Sequence, residues 1–325
     1  MSLIVASPDE YEDLLGLWAD LESGLAMLLT HPDSVQEFPL RAQQYDRWLQ
    51  ELLKQDADVG LYLLFQLATN SLVGYSASHA LVCAVLCHLI AADFALPEAQ
   101  RNSLVHAALT MNVSMTEMQN AMAKQTGRPT PEQQTAIDAH PLGSAQILKN
   151  KGVDDALWLE IVEFHHAEAS APNVPLSMLV PARRLAYILQ VVDRYAAMIS
   201  PRESREGRSA AESAQDILQT GVDHGGAVGQ ALIRVIGLCP PGTFVQLDND
   251  QIAIVTRRSK RVNQPAVAVV MEPTGAVIRP PVLLQTTQDE VGIRAALLSS
   301  AVRERINHHL ILKLSSCATS ATVPA

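Results

Sequence analysis

The chain has 325 residues, 48% of them apolar, and a formal net charge of −10 at pH 7. That length exceeds what one hydrophobic core usually fills, so two or three units are expected, and the acidic balance argues against a nucleic-acid polymer or an anionic membrane as partner. No run of about 20 uncharged apolar residues offers a membrane span, and Asp9, Glu10, Glu12 and Asp13 leave no basic start for a secretory signal, so a cytoplasmic location is expected.

Residues 1 to about 70 carry helical periodicity, first in Leu14, Leu15, Trp18, Leu21 and Leu25, then in Trp48, Leu52, Leu61, Leu64 and Leu67, with a break near Asp58 to Gly60. They read as a packing or dimerising lead-in, and a homodimer is expected. Gly74 to Asp93 is a strongly apolar helix with His79 near its start, and Pro97 opens the next, which runs to about Met111. The four cysteines, Cys83, Cys87, Cys239 and Cys317, lack paired metal-knuckle spacing and read as free core thiols.

Thr130 and Gln133 form a capping signature for a further helix, which Pro141 should interrupt directly after His140. A residue before proline is pushed from helical angles, so His140 is expected at a helix junction. Gly152 ends the next short helix, and Asp154 caps the one that carries Trp158, Ile161 and Val162 and finishes at His165 and His166. A long helix follows from about Ser177 to Ile199, and the charged stretch Arg202 to Arg208 closes it. From Cys239 onward, short β-branched runs, Thr243 to Leu247, Ile252 to Thr256, Val267 to Met271 and Ala276 to Ile278, alternate with turns and read as an antiparallel module. A last helix is expected from about Asp289 to Leu314, with the final dozen residues unstructured. The expected division is a helical extension over 1–70, a helical domain over 71–237, a β module over 238–285, and a helix with a tail over 286–325.

Adjacent imidazoles at a helix end bind a transition metal, clasp phosphate, or simply favour the negative end of the helix dipole. Asp193 lies beside the apolar face of its helix, where a carboxylate must sit at the margin or be held by a cation.

The order and spacing of His79, His140, His165, His166 and Asp193 resembles the HD-GYP branch of the HD phosphohydrolases, over roughly Tyr75 to Arg208. The resemblance implies a mainly α, HD-domain-like helical bundle in which those five residues are metal ligands. It also implies hydrolysis of cyclic di-GMP, in which clustered Fe or Mn ions convert water to hydroxide and neutralise phosphodiester oxygens. The segment beginning PPGTFVQL looks like the β module that follows this domain in many members.

The sequence departs from the family at the His-Asp doublet, where it has Thr110 and Met111, and at the following lysine, where it has Ser114. A threonine hydroxyl is a poor ligand and a thioether prefers soft ions, so neither replaces a bridging carboxylate. The family's HHExxDGxGYP reads HHAEASAPNVP here: Ser170, Ala171, Asn173 and Val174 stand for the aspartate, both glycines and the tyrosine, and Glu168 is displaced by one position. Arg202 and Arg205 fall on positions that bind ligand phosphates in the family. The alternative is that Arg202, Arg205 and Arg208 form a solvated, salt-bridged surface with Glu203, Glu206 and Glu212.

Three expectations follow from the resemblance. The first is a signalling protein with impaired catalysis that binds a cyclic dinucleotide such as cyclic di-GMP, or a protein partner. The second is a metal-dependent phosphodiesterase with a reduced site of one Fe or Mn ion on His140, His165, His166 and Asp193. The third is a structural, dimer-forming regulator whose pocket holds no ion.

Overall fold

The computed structural model describes residues 8–70, 73–167, 174–203, 207–220, 226–259, 264–286, 291–302 and 304–321. Glu168, Ser170, Ala171, Asn173, Arg205 and Glu206 lie outside the described residues. Helices α1 (Pro8–Thr30) and α2 (Phe38–Asn70) pack through the stripe that the periodicity marks, with Trp18, Leu21, Leu25, Leu49, Leu52 and Leu61 all buried. The break in α2 falls at Asp56, two residues before the expected place. Its carboxylate accepts hydrogen bonds from the Asp58 and Val59 amides at 3.0 and 3.1 Å, an N-cap inside the run, and an ion pair at 2.7 Å ties it to Arg257.

Helix α3 (Tyr75–Ile90) is buried from Ser76 to Cys87 without a polar face, as a helix surrounded by others must be. Around it stand α4 (Glu98–Thr110), α5 (Thr116–Ala123), α8 (Pro181–Ile199) and α10 (Ala227–Ile236), while α6 (Pro131–Asn150), α7 (Ala156–Phe164) and α9 (Ala210–Thr220) form further layers. Helix α8 is shorter than expected at its start, because Leu176–Met178 form a separate 3-10 turn. Asp155, not Asp154, caps α7: its Oδ1 accepts from the Trp158 amide at 3.1 Å.

Pro141 does not interrupt α6, and His140 stands inside a continuous helix rather than at a junction. Proline lacks the N–H that would bond the carbonyl four residues back, that of Ile137. The imidazole Nδ1 of His140, 2.5 Å from that carbonyl oxygen, takes the vacant place. The capping box at the start of α6 is present as read, with Thr130 and Gln133 bonded reciprocally at 3.3 and 2.9 Å.

The C-terminal part is a five-stranded antiparallel sheet of β1 (Phe244–Leu247), β2 (Ile252–Arg257), β3 (Ala266–Met271), β4 (Val277–Gln285) and β5 (Ile293–Leu297), in the order β4-β3-β2-β1-β5. The helix expected from Asp289 is therefore corrected. Ile293–Leu297 pairs with β1, Phe244 opposite Leu297, and this satisfies a strand edge that local helix preference could not. Helix α11 (His308–Ala321) begins later and extends into the stretch read as unstructured, with Ile311, Leu312, Ser315 and Ser316 buried.

The sheet meets α2 closely. Gly242 has φ +90°, and a Cβ there would lie 2.5 Å from the Tyr62 carbonyl, so the approach requires glycine. One apolar cluster runs from Leu14 through α3 and α8 to Ile254 and Ile311. Among the described residues no helix is long and apolar enough to cross a membrane.

Candidate functional site

Helices α6 and α7 bring His140, His165 and His166 together, with one ring nitrogen from each within 4.8 Å of the others. His165 lies at the C-terminal end of α7, where the last carbonyls have no helical partner. Its Nδ1 donates to the Val162 carbonyl at 2.7 Å, just as His140 Nδ1 donates to Ile137. Both protons are thereby fixed on Nδ1, and both Nε2 lone pairs face one another at 3.1 Å. Burial, then the nearby His166, pushes His165 down to about 3, and burial likewise lowers His140, so neither ring carries a compensating proton near neutral pH. Opposed lone pairs at that distance repel unless an electrophile lies between them. The donor set fits a first-row divalent ion, with imidazoles pinned from behind in the manner usual for ligands.

This geometry has a measurable consequence for stability. An unfolded His165 takes up a proton near pH 6.5, whereas the folded one resists until about 3. The unfolded state binds more protons in that window, so stability is complete above pH 6.5 and falls as pH drops toward 3. Thermal midpoints measured between pH 7 and pH 4 should decline, by an amount that His165→Asn reduces.

Asp193 is not in the histidine triad. Its Oδ1 accepts from His79 Nε2 at 2.7 Å, while Oδ2 lies 3.8 Å from His166 Nε2, so His166 stands between the triad and the carboxylate. Burial raises the pKa of Asp193, but the His79 bond and the His79, His166 and His165 rings outweigh it, and the group is held well below the usual carboxylate range. Cys83 Sγ lies 3.6 Å from His79 Nε2. The thiols of Cys83 and Cys87 are free and buried, and Cys239 is free and half-buried.

At the doublet positions, Thr110 and Met111 are fully buried. The Thr110 hydroxyl donates to the His106 carbonyl at 2.7 Å and accepts from the Trp158 indole at 2.9 Å. Both of its roles are taken by structure. Ser114 bonds the His140 carbonyl at 3.1 Å and the Ser144 hydroxyl at 2.9 Å, so it braces α6.

Arg202 donates to the Tyr75 hydroxyl at 2.8 Å and lies over its ring at 4.7 Å, and Tyr75 in turn stacks on His79. The Arg202 Nε is buried and has no partner among the described residues. The salt-bridged surface is not formed by the described members: Arg208 pairs with Asp216 at 3.1 Å, and Glu212 caps the Ser209 amide at 3.0 Å.

A second polar cluster escaped the sequence reading. Asp46 receives two bonds from Arg101 at 2.7 and 2.8 Å and one contact from His106 at 3.2 Å, while Arg101 Nε donates to His88 Nδ1 at 2.9 Å. Burial, then Arg101, lowers His88 to about 4, which keeps it the acceptor this bond needs. The available signal was positional: Asp46 interrupts the apolar stripe of Ala42 and Leu49, and Arg101 that of Leu104 and Val105.

The resemblance to the HD-GYP branch read from the sequence, carried here by a helical bundle with His79, His140, His165, His166 and Asp193 in one region, is met by a curated relative. That relative is cyclic di-GMP phosphodiesterase PA4108 of Pseudomonas aeruginosa, 21% identical over 188 residues, which are 58% of this chain and 45% of that protein. The chain thus spans less than half the length of the relative it matches. Among solved structures, Bd1817, a HDG"Y"P protein from Bdellovibrio bacteriovorus, is 14% identical with a TM-score of 0.49, covering 66% of this chain and 69% of that one. No family model matches the chain.

Proposed function

We propose that this chain is an HD-GYP-like signalling protein that binds a cyclic dinucleotide, cyclic di-GMP by its likeness to PA4108, without the turnover that a two-ion centre supports. The carrying observation is the occupied Thr110 hydroxyl beside the buried Met111, which leaves no carboxylate to bridge two ions at that position. His140, His165 and His166 hold a single Fe or Mn ion, with Asp193 across His166. Such an ion, when bound, would neutralise phosphate oxygens as a Lewis acid. Arg202, stacked on Tyr75 with Nε unpaired, reads a phosphate of the ligand.

Calorimetric titration of cyclic di-GMP tests this reading. Arg202→Ala should weaken binding roughly tenfold or more, the worth of a charge-assisted hydrogen bond. Unchanged affinity would remove Arg202 from the phosphate contact, and no binding to the wild-type chain would leave a protein partner as the ligand. The enzyme reading draws on the facing Nε2 lone pairs at 3.1 Å, which favour an ion. It requires release of the linear dinucleotide, lost in His166→Ala. Turnover by the wild-type protein would sink the non-catalytic reading.

A further inference from the structure

We propose that the cleft between the helical bundle and the β module binds an amphipathic monocarboxylate, an apolar chain of medium-chain fatty-acid type with one anionic head. The cleft lies outside the cyclic dinucleotide reading. Its lining shares no residue with the histidine triad, Asp193 or Arg202, so either can fail alone.

Five parts of the chain that are distant in sequence line the cleft: α2, the C-terminal end of α8, the start of α9, the turn at 242–244 into β1, and the stretch from the end of β5 to α11. Its volume is about 750 Å³, within the roughly 300–1,000 Å³ that small-molecule sites occupy. Apolar side chains form the floor. Phe65, Ile199 and Phe244 are each 5% exposed, and the half-buried Leu297, Val302 and Ile306 continue the same lining. Such a surface gains when an apolar chain takes the place of water against it.

Tyr62 and His308 supply the polar anchor. The Tyr62 hydroxyl lies 2.7 Å from His308 Nδ1, its one partner among the described residues. Tyr62 is fully buried, and a buried hydroxyl with a single partner donates to it rather than leave its proton unsatisfied. Nδ1 is therefore the acceptor and the ring proton sits on Nε2, while burial lowers the pKa of His308 and keeps the imidazole neutral. Phe244 and Tyr62 hold the ring edge-on, with centroids 6.4 and 5.8 Å away. Nε2–H has no acceptor among the described residues. It is a fixed donor in a mostly apolar cleft, the arrangement that orients one acceptor group of a ligand. At the exposed rim, Arg208 is neutralised by Asp216 at 3.1 Å, which leaves Arg305 and Glu304, neither ion-paired among the described residues. The rim thus has no net charge to balance a ligand with several phosphates. A single carboxylate needs only the His308 Nε2–H and the Arg305 guanidinium.

Calorimetric titration of the full chain with decanoate tests the site. One equivalent should bind, roughly tenfold tighter than octanoate, because each further buried methylene tightens binding about fourfold. His308→Phe keeps the ring and removes the donor, and should weaken decanoate by about tenfold or more, the order expected for a hydrogen bond to a charged group. Arg305→Gln should weaken it about two- to fivefold, as an exposed ion pair allows. Arg47→Gln, outside the cleft, should leave the affinity unchanged. No saturable binding, equal affinity for octanoate and decanoate, or full affinity in His308→Phe overturns the proposal. Should His308→Phe fail to fold, wild-type crystals soaked with ω-brominated decanoate decide. An anomalous bromine peak against Phe65 and Phe244 supports the site, and no peak there overturns it.

Discussion

Replacing His165 by alanine will lower affinity for Fe²⁺ or Mn²⁺ at least tenfold, measured by metal analysis after equilibrium dialysis. His165 is fully buried and presents Nε2 to His140 with its proton locked on the Val162 carbonyl, so no other side chain can rotate into its place. Disturbing even the groups that orient a ligand typically costs 10–100-fold in affinity, as a rough scale. Pro141→Ala separates orientation from ligation. It restores the amide that reclaims the Ile137 carbonyl, which displaces His140 Nδ1 from its anchor. Proline costs a helix interior up to about 3 kcal/mol, so the variant should unfold at higher temperature while binding the ion more weakly. A variant that gained in both would show that the carbonyl does not position His140.

The second large effect is expected outside the histidine triad. Asp46→Ala should destabilise the fold by about 3–5 kcal/mol, because it leaves the Arg101 guanidinium buried and unpaired. Asp46 and Arg101 are 2% and 7% exposed, and the carboxylate bonds Arg101 through both oxygens. Burial raises the pKa of Asp46, yet the bonds from His106 and Arg101 more than offset it and hold the group below the ordinary carboxylate range. Removing both charges in Asp46→Leu with Arg101→Met should recover most of the loss, since apolar groups of similar size often replace buried pairs without penalty. Urea unfolding of the single and double variants measures this. Equal loss in both would mean that the cluster contributes packing rather than charge compensation.

His106, in the same cluster, packs on Trp158 with ring centroids 4.9 Å apart, and Trp158 bonds Thr110. Thr110 is therefore part of a buried network that joins α4 to α7.

Local physics settled much of this chain from the sequence. The apolar stripe of α1, the strongly apolar α3, the Thr130–Gln133 capping box and the β-branched runs after Cys239 each follow from short-range periodicity or side-chain chemistry. The order of His79, His140, His165, His166 and Asp193 was legible as well. Other features depended on partners distant in the chain. Ile293–Leu297 is a strand only because β1 offers an open edge. Pro141 stays helical because His140 satisfies the carbonyl that proline leaves vacant. Asp193 bonds His79 across 114 residues instead of joining the triad, and Cys83, read as a free core thiol, faces that same imidazole. Spacing along a helix determines which face a side chain takes, but only the packing of α3 against α8 decides what it meets there.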